Sequence, residues 1–177
     1  MVKKYNKIAL IGMMGTGKSY IGKALANSLN YQHYDLDQYI SKKEKMSISN
    51  IFIQYGELYF RDLEEKTIKH LIAQPENLVL SCGGGSFIKK TNRDLLLDKS
   101  IVFSLSATAA TIYNRIKNDQ TRPLLQKDNS VEKIQNIINE RSKFYNQAHY
   151  NIDTNRYKKL SIIITEITNK IFTNIEA

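Results

Sequence analysis

Gly12-Met13-Met14-Gly15-Thr16-Gly17-Lys18-Ser19 follows the apolar run Ile8-Ala9-Leu10-Ile11 and precedes Ile21, Leu25 and Leu29, which recur at four-residue spacing. A short, uninterrupted apolar run is what a strand buried on both faces of a parallel sheet requires. The four-residue spacing is that of one helix face. The octet therefore sits between a predicted strand and a predicted helix, the context in which G-x-x-x-x-G-K-[ST] forms a phosphate cradle. Glycines let backbone N–H groups approach phosphate oxygens, and the helix N-terminus adds a favourable dipole. Lys18 would reach the β and γ phosphates, and Ser19 would offer a hydroxyl to Mg²⁺, a hard ion that shares its coordination with the nucleotide. A plain glycine turn opening a helix is the competing reading, and the correct flanks on both sides weigh against it.

Beyond the octet, short strands are predicted at Tyr34–Leu36, Leu78–Ser81, Ile101–Leu105 and Tyr150–Thr154, separated by segments long enough for helices. This is α/β alternation. Leu160, Ile163, Ile164, Ile167 and Ile171 form a closing amphipathic helix. The intervals 37–77 and 107–149 exceed a simple crossover and have room for substrate-handling insertions, the first a helical one over about 38–75. Around 117–129 the periodicity dissolves into Lys-Asn-Asp-Gln-Thr-Arg-Pro, a pattern expected of a mobile lid. The 177 residues fit one domain with its own core.

Hydrophobic residues make up 42% and charged residues 24%, which excludes disordered, collagen-like and coiled-coil chains. No apolar run reaches the roughly 18 residues of a membrane span. The N-terminus imitates a secretory signal, but Lys18 and Lys23 interrupt the stretch that should stay uncharged, so it reads as mature protein. Cys82 is the single cysteine, which excludes an internal disulfide and a cysteine-rich zinc site and suits a reducing cytoplasm.

Asp35-Leu36-Asp37 ends the second predicted strand, where alternate positions share one face and both carboxylates could meet the cleft. A helix N-cap is the alternative. Arg61 could clamp a carboxylate with its planar fork, or simply pair with Glu57 or Glu64. Gly83, Gly84 and Gly85 follow the Leu78–Ser81 strand and would expose bare backbone where open α/β sheets bind ligands. Arg122, in the 117–129 segment, could swing onto a transferring phosphate. Arg115, Arg141 and Arg156 carry weak individual signals, and His33, His70 and His149 show no metal spacing.

Taken together, the Gly12–Ser19 loop, Asp35-Leu36-Asp37, Phe52 with Gly56-Glu57 and Phe60-Arg61, the glycine triplet, Arg122-Pro123-Leu124, Arg141 with Tyr145, and Asp153-Thr154-Asn155-Arg156 resemble the shikimate kinase family of P-loop proteins. The resemblance covers nearly the whole chain. It implies a three-layer α/β P-loop kinase fold with a five-stranded parallel sheet in the order 2-3-1-4-5. It also implies transfer of the ATP γ-phosphoryl group to the 3-hydroxyl of shikimate, in the pathway to chorismate and the aromatic amino acids. By that resemblance Asp37, Arg61, Gly83, Gly84, Gly85 and Arg141 bind shikimate, with the two arginines on its carboxylate. Gly15, Thr16, Gly17, Lys18, Ser19, Tyr20, Arg115, Arg122 and Arg156 bind the nucleotide, with Arg115 and Arg156 flanking the adenine. Ser19 and Asp35 lie at Mg²⁺, Lys18, Asp37 and Arg122 serve the transfer, and Arg122 is the lid cation. Tyr20 and Cys82 depart from the family pattern, and neither removes a ligand. A cytoplasmic monomer acting on small molecules is expected, with no nucleic acid or membrane partner. The +9 net charge raises nucleic acid as a competing partner. Setting aside the six site cations and two site aspartates leaves +5, with no basic stripe interleaved with aromatics. A gluconate or nucleoside monophosphate kinase remains the nearer enzymatic alternative.

Overall fold

A computed structural model describes residues 6–117, 130–155 and 159–176. Five strands, β1 (Lys7–Gly12), β2 (Gln32–Asp35), β3 (Leu78–Ser81), β4 (Ile101–Ser106) and β5 (Tyr150–Asp153), form one sheet. Its order is β2-β3-β1-β4-β5, and every pairing is parallel. Around it lie α1 (Lys18–Leu29), α2 (Leu36–Glu44), α3 (Ile48–Ala73), α4 (Lys90–Lys99), α5 (Ala109–Ile116), α6 (Val131–Tyr145) and α7 (Leu160–Glu176).

The three layers follow from the pleat. All six residues of β1 are buried. Ile8 and Leu10 face a core built with Ile21 and Leu25 of α1 and Ile163, Ile167 and Ile171 of α7. Ala9 and Ile11 point the other way, into a core with Ile68 and Leu71 of α3 and Leu96 of α4. Each fully buried aliphatic side chain contributes about 1.5–3 kcal/mol, so the central strand holds both faces at once. A third, smaller cluster joins Met13 and Met14 of the octet to Ile112 and Ile116 of α5 and Ile134 of α6. It supports the loop from beneath.

Two local features differ from the sequence pattern. Leu36 opens α2 and is not the last residue of β2, because the Asp35 side chain accepts the Gln38 N–H at 3.0 Å and caps the helix. The strand-face argument for Asp35 and Asp37 is therefore replaced by a cap and a first turn. Helix α3 is also not straight. Gly56, at φ 81 and ψ 173, interrupts it in a region essentially reserved for glycine, so the segment before it and the segment ending at Ala73 run in different directions. The expected lid over 117–129 falls almost wholly outside the described residues. Among the described residues, no helix is long and apolar enough to cross a membrane.

Candidate active site

The C-terminal ends of β1 and β3, which lie side by side, deliver the octet and the glycine triplet to one edge of the sheet. Gly12, Gly15 and Gly17 all have positive φ, and Gly17 is the residue immediately before α1. Lys18 Nζ curls back over the loop, donating to the carbonyls of Gly12 at 3.0 Å and Met13 at 2.9 Å. The Thr16 hydroxyl donates to Met13 O at 2.7 Å. Thr154, immediately after β5, donates its hydroxyl to Thr16 O at 2.9 Å. Arg115 of α5 donates to Gly15 O at 3.0 Å and to Thr154 O at 2.5 Å, tying the loop to β5. Burial lowers its pKa, and Asp153 partly offsets this.

Asp35 has two tasks. One carboxylate oxygen caps α2, and the other accepts the Ser19 hydroxyl. Asp37 stands in the first turn of α2, with its carboxylate toward Gly83, where a Cβ would lie 2.9 Å from Oδ1.

Arg61 is held from both sides along α3. Its Nε and Nη2 donate to Glu57 at 3.1 and 2.9 Å, and its Nη1 donates to Glu64 at 2.6 Å. Burial works against the guanidinium charge, but Glu64 and Glu57 more than offset it and raise the Arg61 pKa. Glu64 is 1% exposed and also accepts the Ser86 hydroxyl. Arg61 thus makes the expected pairing contacts and also lines a cavity. Gly85 explains how both can hold: a Cβ there would lie 2.6 Å from Arg61 Nη1, so only a glycine leaves room for the fork. Arg141 of α6, which lines the same cavity, donates to Gly84 O at 3.3 Å, and Tyr145 donates to the same carbonyl at 2.6 Å.

Two cavities result. One of about 310 Å³ is lined by Gly15, Gly17, Lys18 and Arg115. The other, of about 680 Å³, is lined by Phe52, Arg61, Gly85 and Arg141. Ser19, Asp35, Asp37, Gly83 and Gly84 line both and form their common wall. Tyr20 is exposed and lies between the smaller cavity and a neighbouring one beside Thr154 and Leu160. Cys82 is buried beneath the common wall, and burial raises its thiol pKa, which keeps it an unreactive thiol. Arg122 and Arg156 lie outside the described residues. No cluster of three or more His, Cys, Asp or Glu able to hold a metal occurs among the described residues.

Several contributors escaped the sequence reading. Glu64 was visible as a neighbour of Arg61, but helical spacing alone cannot distinguish a buried partner from a surface one. Ser81 is another. Its hydroxyl donates to Lys18 O at 3.0 Å and lies 3.0 Å from His33 Nε2, bracing the first turn of α1 from β3. Burial lowers the His33 pKa, with Asp35 opposing and Lys23 adding to the effect. No motif marks that strut.

The sequence model of the family described as shikimate kinase matches residues 14–174. A shikimate kinase from a Sulfurihydrogenibium species is 43% identical over 93% of this chain and 96% of its own length. The solved structure of a shikimate kinase from Acinetobacter baumannii in complex with shikimate superposes with a TM-score of 0.90 at 32% identity, covering 98% of this chain and 96% of that one. A gluconokinase from Sinorhizobium meliloti shares the fold alone, with a TM-score of 0.62 at 17% identity over 96% of this chain and 93% of its own.

Proposed function

The chain belongs to the shikimate kinase family, and from that membership we infer that it transfers the γ-phosphoryl group of ATP to the 3-hydroxyl of shikimate, yielding shikimate 3-phosphate and ADP. The observation that carries this reading is the common wall. A nucleotide held by the loop and an acceptor held by Arg61 and Arg141 would meet at Asp37, Gly83 and Gly84, the only place where donor and acceptor need to be close.

The residues divide the work by chemistry. Backbone N–H groups of the octet and the α1 N-terminus bind phosphate, and Lys18 exchanges its loop carbonyls for phosphate oxygens, so its charge is already in place. Arg61 and Arg141, which line the same cavity, hold a carboxylate; a planar fork favours that group over a neutral hydroxyl. Asp37 accepts the acceptor hydroxyl's hydrogen and draws off its proton as the new P–O bond forms. Arg115 and Tyr20 border the place for the nucleoside, with Arg156 as a further contact. Arg122 is assigned to the transferring phosphoryl group as the lid cation. The Ser19 hydroxyl and the Asp35 carboxylate are adjacent hard-oxygen donors at the mouth of the loop, a set that fits Mg²⁺ arriving with the nucleotide. There Ser19 would ligate the ion and Asp35 would orient its coordination, and the chemistry it would supply is neutralisation of phosphate charge. We take the enzyme to act as a monomer on small-molecule partners.

The test is ADP release with ATP and Mg²⁺ across shikimate, quinate, gluconate and several nucleoside monophosphates. Turnover with shikimate well above the rest is expected. Preference for gluconate or a nucleoside monophosphate would sink the reading.

A further inference from the structure

Asn92 and Arg93, in the first turn of α4, have no part in the roles above, yet both are buried, at 1% and 9% exposure. Burying an amide and a guanidinium is costly unless their hydrogen bonds are made. Asn92 Nδ2 donates to Ser86 O at 3.0 Å, while Arg93 Nη1 donates to Phe87 O at 3.1 Å and Ile88 O at 2.9 Å. Three consecutive carbonyls are therefore held from one helix end. They belong to the segment that folds back on the glycine triplet, with Ser86 N–H on Gly83 O at 3.2 Å and Ile88 N–H on Gly85 O at 3.1 Å. Whatever fixes residues 86–88 also fixes the height of Gly83 and Gly85 in the cavity wall.

A second hold runs through α6. The Arg93 guanidinium carbon lies 5.2 Å from the centre of the Phe144 ring, within cation–π range. Tyr145, the next residue, and Arg141, one turn earlier, both donate to Gly84 O. The α4 end, the glycine turn and the C-terminal part of α6 thus form a closed circuit with Arg93 at one corner. Stability alone does not account for this arrangement. Asn92 Oδ1 is a buried acceptor without a partner among the described residues, a position an apolar side chain would fill at less cost. Departures from local rules without a stability gain concentrate at functional positions.

We propose that Arg93, assisted by Asn92, is a positioning residue for the acceptor: it sets the glycine turn against Arg61 and the register of α6 that presents Arg141. The proposal rests on the acceptor reading of Arg61 and Arg141. Its test is steady-state kinetics for both substrates, with thermal melts, on Arg93→Met, Arg93→Lys and Phe144→Leu. Met keeps the stem and removes the donors. Lys restores a donor within reach of the same carbonyls, and Leu removes only the ring. Arg93→Met should raise the shikimate KM tenfold or more while the ATP KM stays within twofold, Arg93→Lys should recover part of that loss, and Phe144→Leu should raise the shikimate KM about threefold. If the Met variant does not fold, the Lys and Leu variants decide the matter by the same split. Equal rises in both KM values, or a lowered melting temperature with both KM values unchanged, would overturn the positioning role. Failure of the unaltered enzyme to use shikimate would instead overturn the functional reading beneath it.

Discussion

Arg61 donates to two carboxylates and still faces a cavity, because a guanidinium carries five N–H groups in one plane and Glu57 and Glu64 engage three of them. Two remain for a ligand carboxylate. An ammonium on a flexible stem cannot keep Glu64 paired and present a planar edge at once. Arg61→Lys should therefore raise the shikimate KM by about 10- to 100-fold, the equivalent of losing a charged hydrogen bond of ~1.5–3 kcal/mol, with the ATP KM unchanged. Normal shikimate affinity in that variant would return Arg61 to a purely structural pairing. Asp35 and Asp37 separate in the same way. Asp35 accepts the Ser19 hydroxyl, so the Asp35→Asn deficit should shrink as Mg²⁺ is raised, whereas Asp37→Asn would lose the proposed proton acceptor and should keep a depressed kcat at every Mg²⁺ concentration. A titration showing the reverse would exchange the two assignments.

At the scale of elements, the kink in α3 decides whether Arg61 and Phe52 can share a cavity. Phe52 lies before Gly56 and Arg61 after it, and the Phe52 ring packs 4.7 Å from Phe60 across the break. A Cβ at Gly56 would meet nothing within 4 Å, so Gly56→Ala tests backbone conformation without a clash. We expect it to cost about 1–3 kcal/mol, read as a lower urea midpoint, and to weaken shikimate binding more than ATP binding. A straightened helix with unchanged shikimate KM would show that the break does not shape the cavity. The element pattern was largely legible: the strands, the octet between β1 and α1, and the closing helix follow from apolar spacing and glycine placement. Three features were not. Asp35 as a cap and Asp35 as a strand end look alike in sequence, Gly56 sits inside an otherwise helical pattern, and Arg93 resembles any exposed helical arginine until tertiary packing buries it.

For the whole molecule, the +9 charge concerns ligands more than the fold. Lys18, Arg61, Arg115 and Arg141 line two adjoining cavities, balanced by Asp35 and Asp37 on the wall between them and by Glu57 and Glu64 beside Arg61. Attraction of the proposed substrates, a polyphosphate and a carboxylate, therefore falls to the net positive charge of the whole chain, whose field raises the local concentration of anions. The motif residues were readable one at a time from the chain. Their convergence depended on the parallel order that places β3 beside β1, which no local stretch encodes. Salt separates steering from contact. Screening shortens from about 30 Å at 0.01 M to about 3 Å at 1 M ionic strength, so approach of anions should weaken while short, partly buried contacts persist. Raising KCl across that range should lower kcat/KM for both ATP and shikimate several-fold and leave kcat within about twofold at saturation. A kcat/KM indifferent to salt would assign the excess charge to solubility, and a parallel fall in kcat would mean that salt disrupts the assembled site itself.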